Sequence, residues 1–145
     1  MNTPAAARRP GGAKHRAREL ALQGLYQHFL NPGATPRAQD LLQDEGAHRP
    51  DATFLDRLLK GASERQDELA ALLAPHLTRD FSAVDPVERA ALLLGTFELA
   101  HVPETPFRVV INEYLELTKT FGAEQSHRFV NGVLDKLARQ LRPHG

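Results

Sequence analysis

Lys14-His15-Arg16-Ala17-Arg18 places a compact positive cluster at what reads as the first turn of a helix. A helix N-terminus already carries partial positive charge, so each exposed cation there is unfavourable by about a few tenths of a kcal/mol. Cations kept in that position suit an external anion, and the orphan N–H groups of the first turn add donors for a phosphate. The plainer alternative is a solubilising terminus. A second pair of interest is Arg128-Phe129. Phe129 falls roughly 90° from the centre of the Val133–Leu134–Leu137 stripe at about 100° per residue, so it is either a core edge or a platform for an unpaired base. Arg128 points away from the stripe, and a cation beside the ring favours the platform. No catalytic chemistry is expected. The sequence has no GxSxG, P-loop, GxGxxG or HExxH, and its 7 histidines show no i, i+4 pairing that would ligate a metal on a helix. Neither a metal nor a cofactor is expected.

The chain that positions these groups has 145 residues, 41% hydrophobic and 25% charged, a globular composition. It has no cysteine, which excludes disulfides, thiolate nucleophiles and cysteine-bound zinc. No apolar run approaches the roughly 20 residues of a membrane span, and no apolar stretch before Leu20 suggests a secretory signal, so a cytoplasmic location is expected. The net charge of +0 hides an asymmetry. Residues 1–18 hold Arg8, Arg9, Lys14, Arg16 and Arg18 with no acid, and residues 126–145 set Arg128, Lys136, Arg139 and Arg142 against Asp135 alone. The segment between holds 17 acids and only 9 Lys or Arg. Basic ends fit a polyanion, while an acidic body fits a basic protein partner.

Residues 1–13, rich in Ala, Pro, Gly and Arg, read as a flexible basic arm, and 14–145 as a single helical domain. Leu22, Leu25, Tyr26 and Phe29 recur at helical spacing over 14–30, before Asn31-Pro32-Gly33. A short helix is expected over 37–45, and a longer one from about Thr53 to Leu73, capped by Thr53 or Asp51 and ended by Pro75. A shorter piece near 76–80 follows. Asp85-Pro86-Val87-Glu88 combines an N-cap Asp, a first-turn proline and a capping-box acid, opening a buried central helix to about His101. Thr105-Pro106 repeats that start for a helix lined by Val109, Val110, Tyr114, Leu117 and Phe121 and stopped at Gly122. Asn112 and Glu113 within it are assigned structural roles, as is Gly24 in the first helix. The last helix spans about Glu124 to Leu141. No segment alternates with a period of two, so the fold class is all-α, a helical bundle with short, proline-marked loops.

Four segments resemble the NusB transcription antitermination factors: KHRARELALQGLYQ at 14–27, ERAALLLGTFEL at 88–99, VINEYLELTKTFG at 110–122, and FGAEQSHRFVNGVLDKLA at 121–138, which is the most specific. The resemblance runs over about 14–138 and is weakest across 31–80. It implies two packed three-helix units without catalytic activity. It further implies binding of boxA RNA from ribosomal RNA operons together with the small-subunit ribosomal protein NusE, in a complex with other Nus factors and RNA polymerase. Members of the family occur as monomers or homodimers.

Carried onto this chain, the family's arginine-rich start falls on Lys14, His15, Arg16 and Arg18, with His15 giving up one permanent cation. Arg128 and Phe129 match the RNA-contacting part of the last block. Gln125 stands where the family often has Asp, removing a repulsive charge from an RNA surface. Tyr26 and Glu88 match positions that meet the ribosomal protein. An alternative is the NusB-like RNA-binding domain that opens some ribosomal RNA cytosine methyltransferases. Against it, a chain ending at Gly145 leaves no room for a cofactor-binding domain and has no cysteine nucleophile. A protein-binding scaffold without RNA affinity is a third reading.

Overall fold

A computed structural model describes residues 12–44 and 49–145, and the fold is helical throughout that range, with no strand among the described residues. The chain divides into two compact units, Met1–Lys60 and Gly61–Gly145. The expected basic arm, with Arg8 and Arg9, lies outside the described residues as far as residue 11. Gly12 and Ala13 already belong to the first helix.

In the first unit α1 (Gly12–Leu30) buries Ala17, Leu20, Ala21, Leu22 and Leu25, and ends where Asn31 and Pro32 interrupt it. Gly24 lies among them because a Cβ there would stand 3.0 Å from Leu41 and 3.1 Å from Leu59. Close packing of this kind offsets the cost of glycine in a helix. A short α2 (Ala38–Leu41) follows. The start of α3 (Ala52–Glu64) is capped by Asp51, whose carboxylate accepts from the Phe54 N–H at 2.9 Å. The Asp51 N–H in turn donates to the Ala13 carbonyl at 3.0 Å, tying the start of α3 to the start of α1.

The helix expected over Thr53–Leu73 is two helices. It breaks at Arg65, whose φ of −114° and ψ of 25° are not helical, before α4 (Gln66–Leu73). Residues 64–68 are Glu-Arg-Gln-Asp-Glu, so the apolar stripe that leaves Ala62 has nothing to bury one turn later. Pro75 then sits in a 3-10 turn, Ala74–His76.

In the second unit α5 (Pro86–His101) is buried continuously from Ala90 to Leu99 and packs against α4, α6 (Phe107–Phe121) and α7 (Ser126–Leu141). Asp85 caps α5, its carboxylate accepting from the N–H groups of Val87 and Glu88 at 3.1 and 3.4 Å. Glu88 does not complete a capping box; its carboxylate accepts from the Ser126 hydroxyl at 2.6 Å and joins α5 to the start of α7. Thr105 does not cap α6 either. Pro106 occupies that position with ψ 143°, and no side chain caps the first turn. Val110, Tyr114 and Leu117 form the buried row of α6, but Val109 is 43% exposed and Phe121 37% exposed. Val109 is rotated about 100° from Val110 and falls off the row. Asn112 is exposed rather than bridging.

Two polar features hold this unit together. Buried Tyr114 donates from its hydroxyl to buried Glu98 at 2.5 Å. Arg142, just past α7, donates to the carbonyls of Glu98, Leu99, Val102 and Thr105 at 2.9–3.2 Å. These include the Leu99 carbonyl, whose helical partner would be residue 103, a proline with no N–H. Arg142, counted in the basic C-terminal cluster, therefore serves the fold. Gly132 is the opposite of Gly24: it sits mid-helix on the exposed face of α7, and an added Cβ would meet nothing within 4 Å. It costs about 0.5–1 kcal/mol relative to Ala with no packing to offset it.

Candidate nucleic-acid interface

The cation cluster of the first unit lies along the first two turns of α1, over the start of α3. Lys14 donates to Asp51 at 3.0 Å, and its ammonium stands 4.5 Å from the centre of the Phe54 ring. It remains 49% exposed, so it can still meet an external anion. Arg16 pairs with Glu19, one turn on, at 2.8 Å. His15 is half-buried and Arg18 is buried, at 3% exposure. The Arg18 guanidinium lies 5.1 Å from the Phe54 ring centre. Arg18 thus departs from the expectation of a phosphate contact. At 18, 22 and 25 it shares the helical row of Leu22 and Leu25, which carries it inward. The signal was in the spacing, and the charge hid it.

Asp51 and Phe54, absent from the expected site, emerge as the groups that hold this cluster. The Asp51 carboxyl lies below the usual carboxylate range, first because the Phe54 N–H bonds its ionised form and then because Lys14 stands beside it; partial burial opposes both. Two cations contact one aromatic ring, an arrangement that positions them and partly satisfies them.

The second patch opens α7. Gln125 is exposed at the N-cap and makes no side-chain cap; the N–H groups of Ser126 and Arg128 donate instead to the carbonyls of Ala123 and Gln125 at 3.0 and 3.2 Å. Arg128 is fully on the surface, and its side chain has no ion pair or hydrogen bond among the described residues. Phe129 is half-buried, so one part of its ring meets solvent while Val130, beside it, is fully buried. The cation and the partly open ring occupy consecutive positions in the first turn of α7.

Of the two residues expected to meet a protein, Tyr26 is half-buried on α1, and Glu88 is half-buried with its carboxylate on Ser126. Among the described residues no three His, Asp or Glu side chains gather to hold a metal ion. No helix there is long and apolar enough to cross a membrane.

A model of the NusB family matches residues 15–139. Transcription antitermination protein NusB of Ralstonia pickettii (strain 12J) is 48% identical over 143 residues, covering 97% of this chain and 92% of that protein. The protein of the same name from Cupriavidus pinatubonensis (strain JMP 134 / LMG 1197) is 49% identical over 134 residues, covering 92% and 80%. Among solved structures, T. maritima NusB matches with a TM-score of 0.77 at 27% identity, over 97% of this chain and 94% of that one. A complex of the antitermination factors NusB and NusE with double-stranded RNA matches at TM-score 0.74 and 23% identity, over 88% and 97%, which is a likeness of fold.

Proposed function

The chain belongs to the NusB family, and from that premise we propose that it is a non-enzymatic, cytoplasmic RNA-binding adaptor of transcription antitermination. Its RNA is single-stranded and of boxA type, from ribosomal RNA operons. Its protein partner is the ribosomal protein NusE, met through Tyr26 and Glu88, with other Nus factors and RNA polymerase engaged indirectly. The methyltransferase alternative finds no support, because the chain spans 92% of a relative that carries the antitermination name.

The observation that carries the RNA reading is the run Gln125, Arg128, Phe129: an exposed amide, an exposed cation and a partly open ring at a helix start. A ring on which a base stacks and a cation that holds the adjacent phosphate are the two parts of a single-strand site. Lys14, His15 and Arg16 supply a second cationic patch, from which Arg18 is dropped because it is buried.

The test is RNA binding with a boxA-like single strand, a scrambled strand and a duplex, with and without NusE. The boxA-like strand should bind best, and better with NusE. Replacing Arg16 and Arg128 by Ala should weaken all sequences alike and lower the log–log salt slope by about 0.7 per lost contact. An unchanged slope returns these residues to the role of a solvated surface. Glu88→Lys should impair NusE binding. Because the same change breaks the bond to Ser126, melting temperature is measured alongside; a lower Tm with NusE binding intact makes Glu88 a fold residue only.

A further inference from the structure

The exposed face of α7 combines two features that the fold does not explain. The first is Gly132, bare and mid-helix, with open space where a side chain would be. The second is the charge around it. At about 100° per residue, Arg128, Gly132, Asp135 and Arg139 fall within about 60° of one another on the helix surface, over about 16 Å of axis. Arg128 and Arg139 are exposed, and Asp135 is engaged by Arg139 at 2.9 Å. Beside this face, α6 and α7 enclose a groove of about 550 Å³. Asn131, Asp135 and Arg139 line one wall; Phe107, Arg108, Ile111, Asn112 and Leu115 line the other, and the Arg108 guanidinium lies 5.3 Å from the Phe107 ring centre.

We propose that this face and groove form a second contact surface for single-stranded RNA. The sugar–phosphate backbone lies against the bare helix at Gly132, and Arg108, Arg128 and Arg139 hold its phosphates. This inference rests on the RNA reading above and extends the strand beyond Phe129. Glycine in a helix interior removes the side chain that keeps a ligand backbone at a distance. Flanking cations supply the charge a polyanion needs, and the exposed amides of Asn112 and Asn131 can donate to and accept from base edges. Phe107, Ile111 and Leu115 give the groove an apolar floor on which bases can rest, and three arginines against Asp135 alone favour a polyanion over a protein.

The experiment compares the full chain with Gly132→Ala and with the double variant Arg108→Ala/Arg139→Ala. Each is measured for melting temperature, for NusE binding, and for affinity to a short single-stranded RNA and to the same RNA extended at both ends. Phe129→Ala serves as the control for the original site. Gly132→Ala should raise Tm by about 1–4 °C, since alanine is the better helix former. It should nevertheless weaken binding of the extended RNA by roughly three- to tenfold. The double variant should lose the affinity gained on extension and leave the short RNA unaffected. If Gly132→Ala and the double variant bind both RNAs like the parent while Phe129→Ala does not, the inference is overturned and the RNA reading stands. If the parent binds neither RNA, both are overturned. If the variants lose NusE instead of RNA, the face takes a protein and the inference is overturned.

Discussion

Lys14 reaches Asp51 at 3.0 Å and Arg16 reaches Glu19 at 2.8 Å, and Arg18 is buried over Phe54. Arg128, by contrast, has no ion pair among the described residues. Both patches set cations near a helix start, yet they differ in what the cations already do. At α1 the protein supplies its own carboxylates and ring, so an incoming phosphate has to compete for Lys14 and Arg16. At α7 the cation is uncommitted. Charge density in a sequence therefore marks where an anion could bind, but the local supply of carboxylates decides how much of that charge is available. Substitutions at α1 should mix stability with binding, and substitutions at α7 should separate them.

The largest effect is expected at α7. Phe129→Ala should lower RNA affinity by roughly 5- to 150-fold, the worth of one stacked base, with little change in Tm. A sharp fall in Tm with affinity intact would make Phe129 a core residue and erase the contrast. Next comes Arg18→Ala, which should cost about 2 kcal/mol of stability through lost packing and a desolvated cation–π contact, lowering Tm by about 4–8 °C. Its RNA salt slope should match that of the parent; a lower slope would restore Arg18 to the RNA site.

A smaller effect is expected from Asp51→Ala. It removes the cap of α3 and should cost about 1 kcal/mol. Because the folded-state pKa of Asp51 is lowered, its stabilisation is complete above the unfolded value of about 3.9 and is lost as the pH falls through the folded value. Denaturation of parent and variant should thus converge at low pH; a constant difference down to pH ~2 would contradict the ionised cap. The smallest effect sharpens the comparison most directly. Asp51→Asn keeps an acceptor for the cap but releases Lys14, and RNA affinity should rise about two- to fivefold, in line with an exposed ion pair. Unchanged affinity would mean that Asp51 does not compete with RNA.

How far the sequence foretold this can be judged at particular residues. Periodicity located α1, α5, α6 and α7 to within two residues at each end, because each carries an apolar row and a proline or glycine boundary. The break at Arg65 was legible in the five polar residues of 64–68 but was overridden by the leucines on either side. The burial of Arg18 was legible in its spacing from Leu22 and Leu25. Other features were not local. The Ser126–Glu88 bond spans 38 positions and the Lys14–Asp51 pair 37, and no periodic pattern encodes such pairings. Gly132 could be read only once the space around it was known to be empty.

Arg142 imposes an order on synthesis. The four carbonyls it serves lie 37–44 positions earlier in the chain. At about 5–20 residues per second they are synthesised roughly 2–9 seconds before Arg142. The carbonyls of Glu98 and Val102 also accept from the N–H groups of Val102 and Thr105 at 3.0 and 3.1 Å, so the last turn of α5 closes without Arg142, which reinforces those bonds and adds a donor for Leu99 and Thr105. The second unit thus receives the side chain that clasps the end of its central helix only after α5, α6 and α7 have all been synthesised.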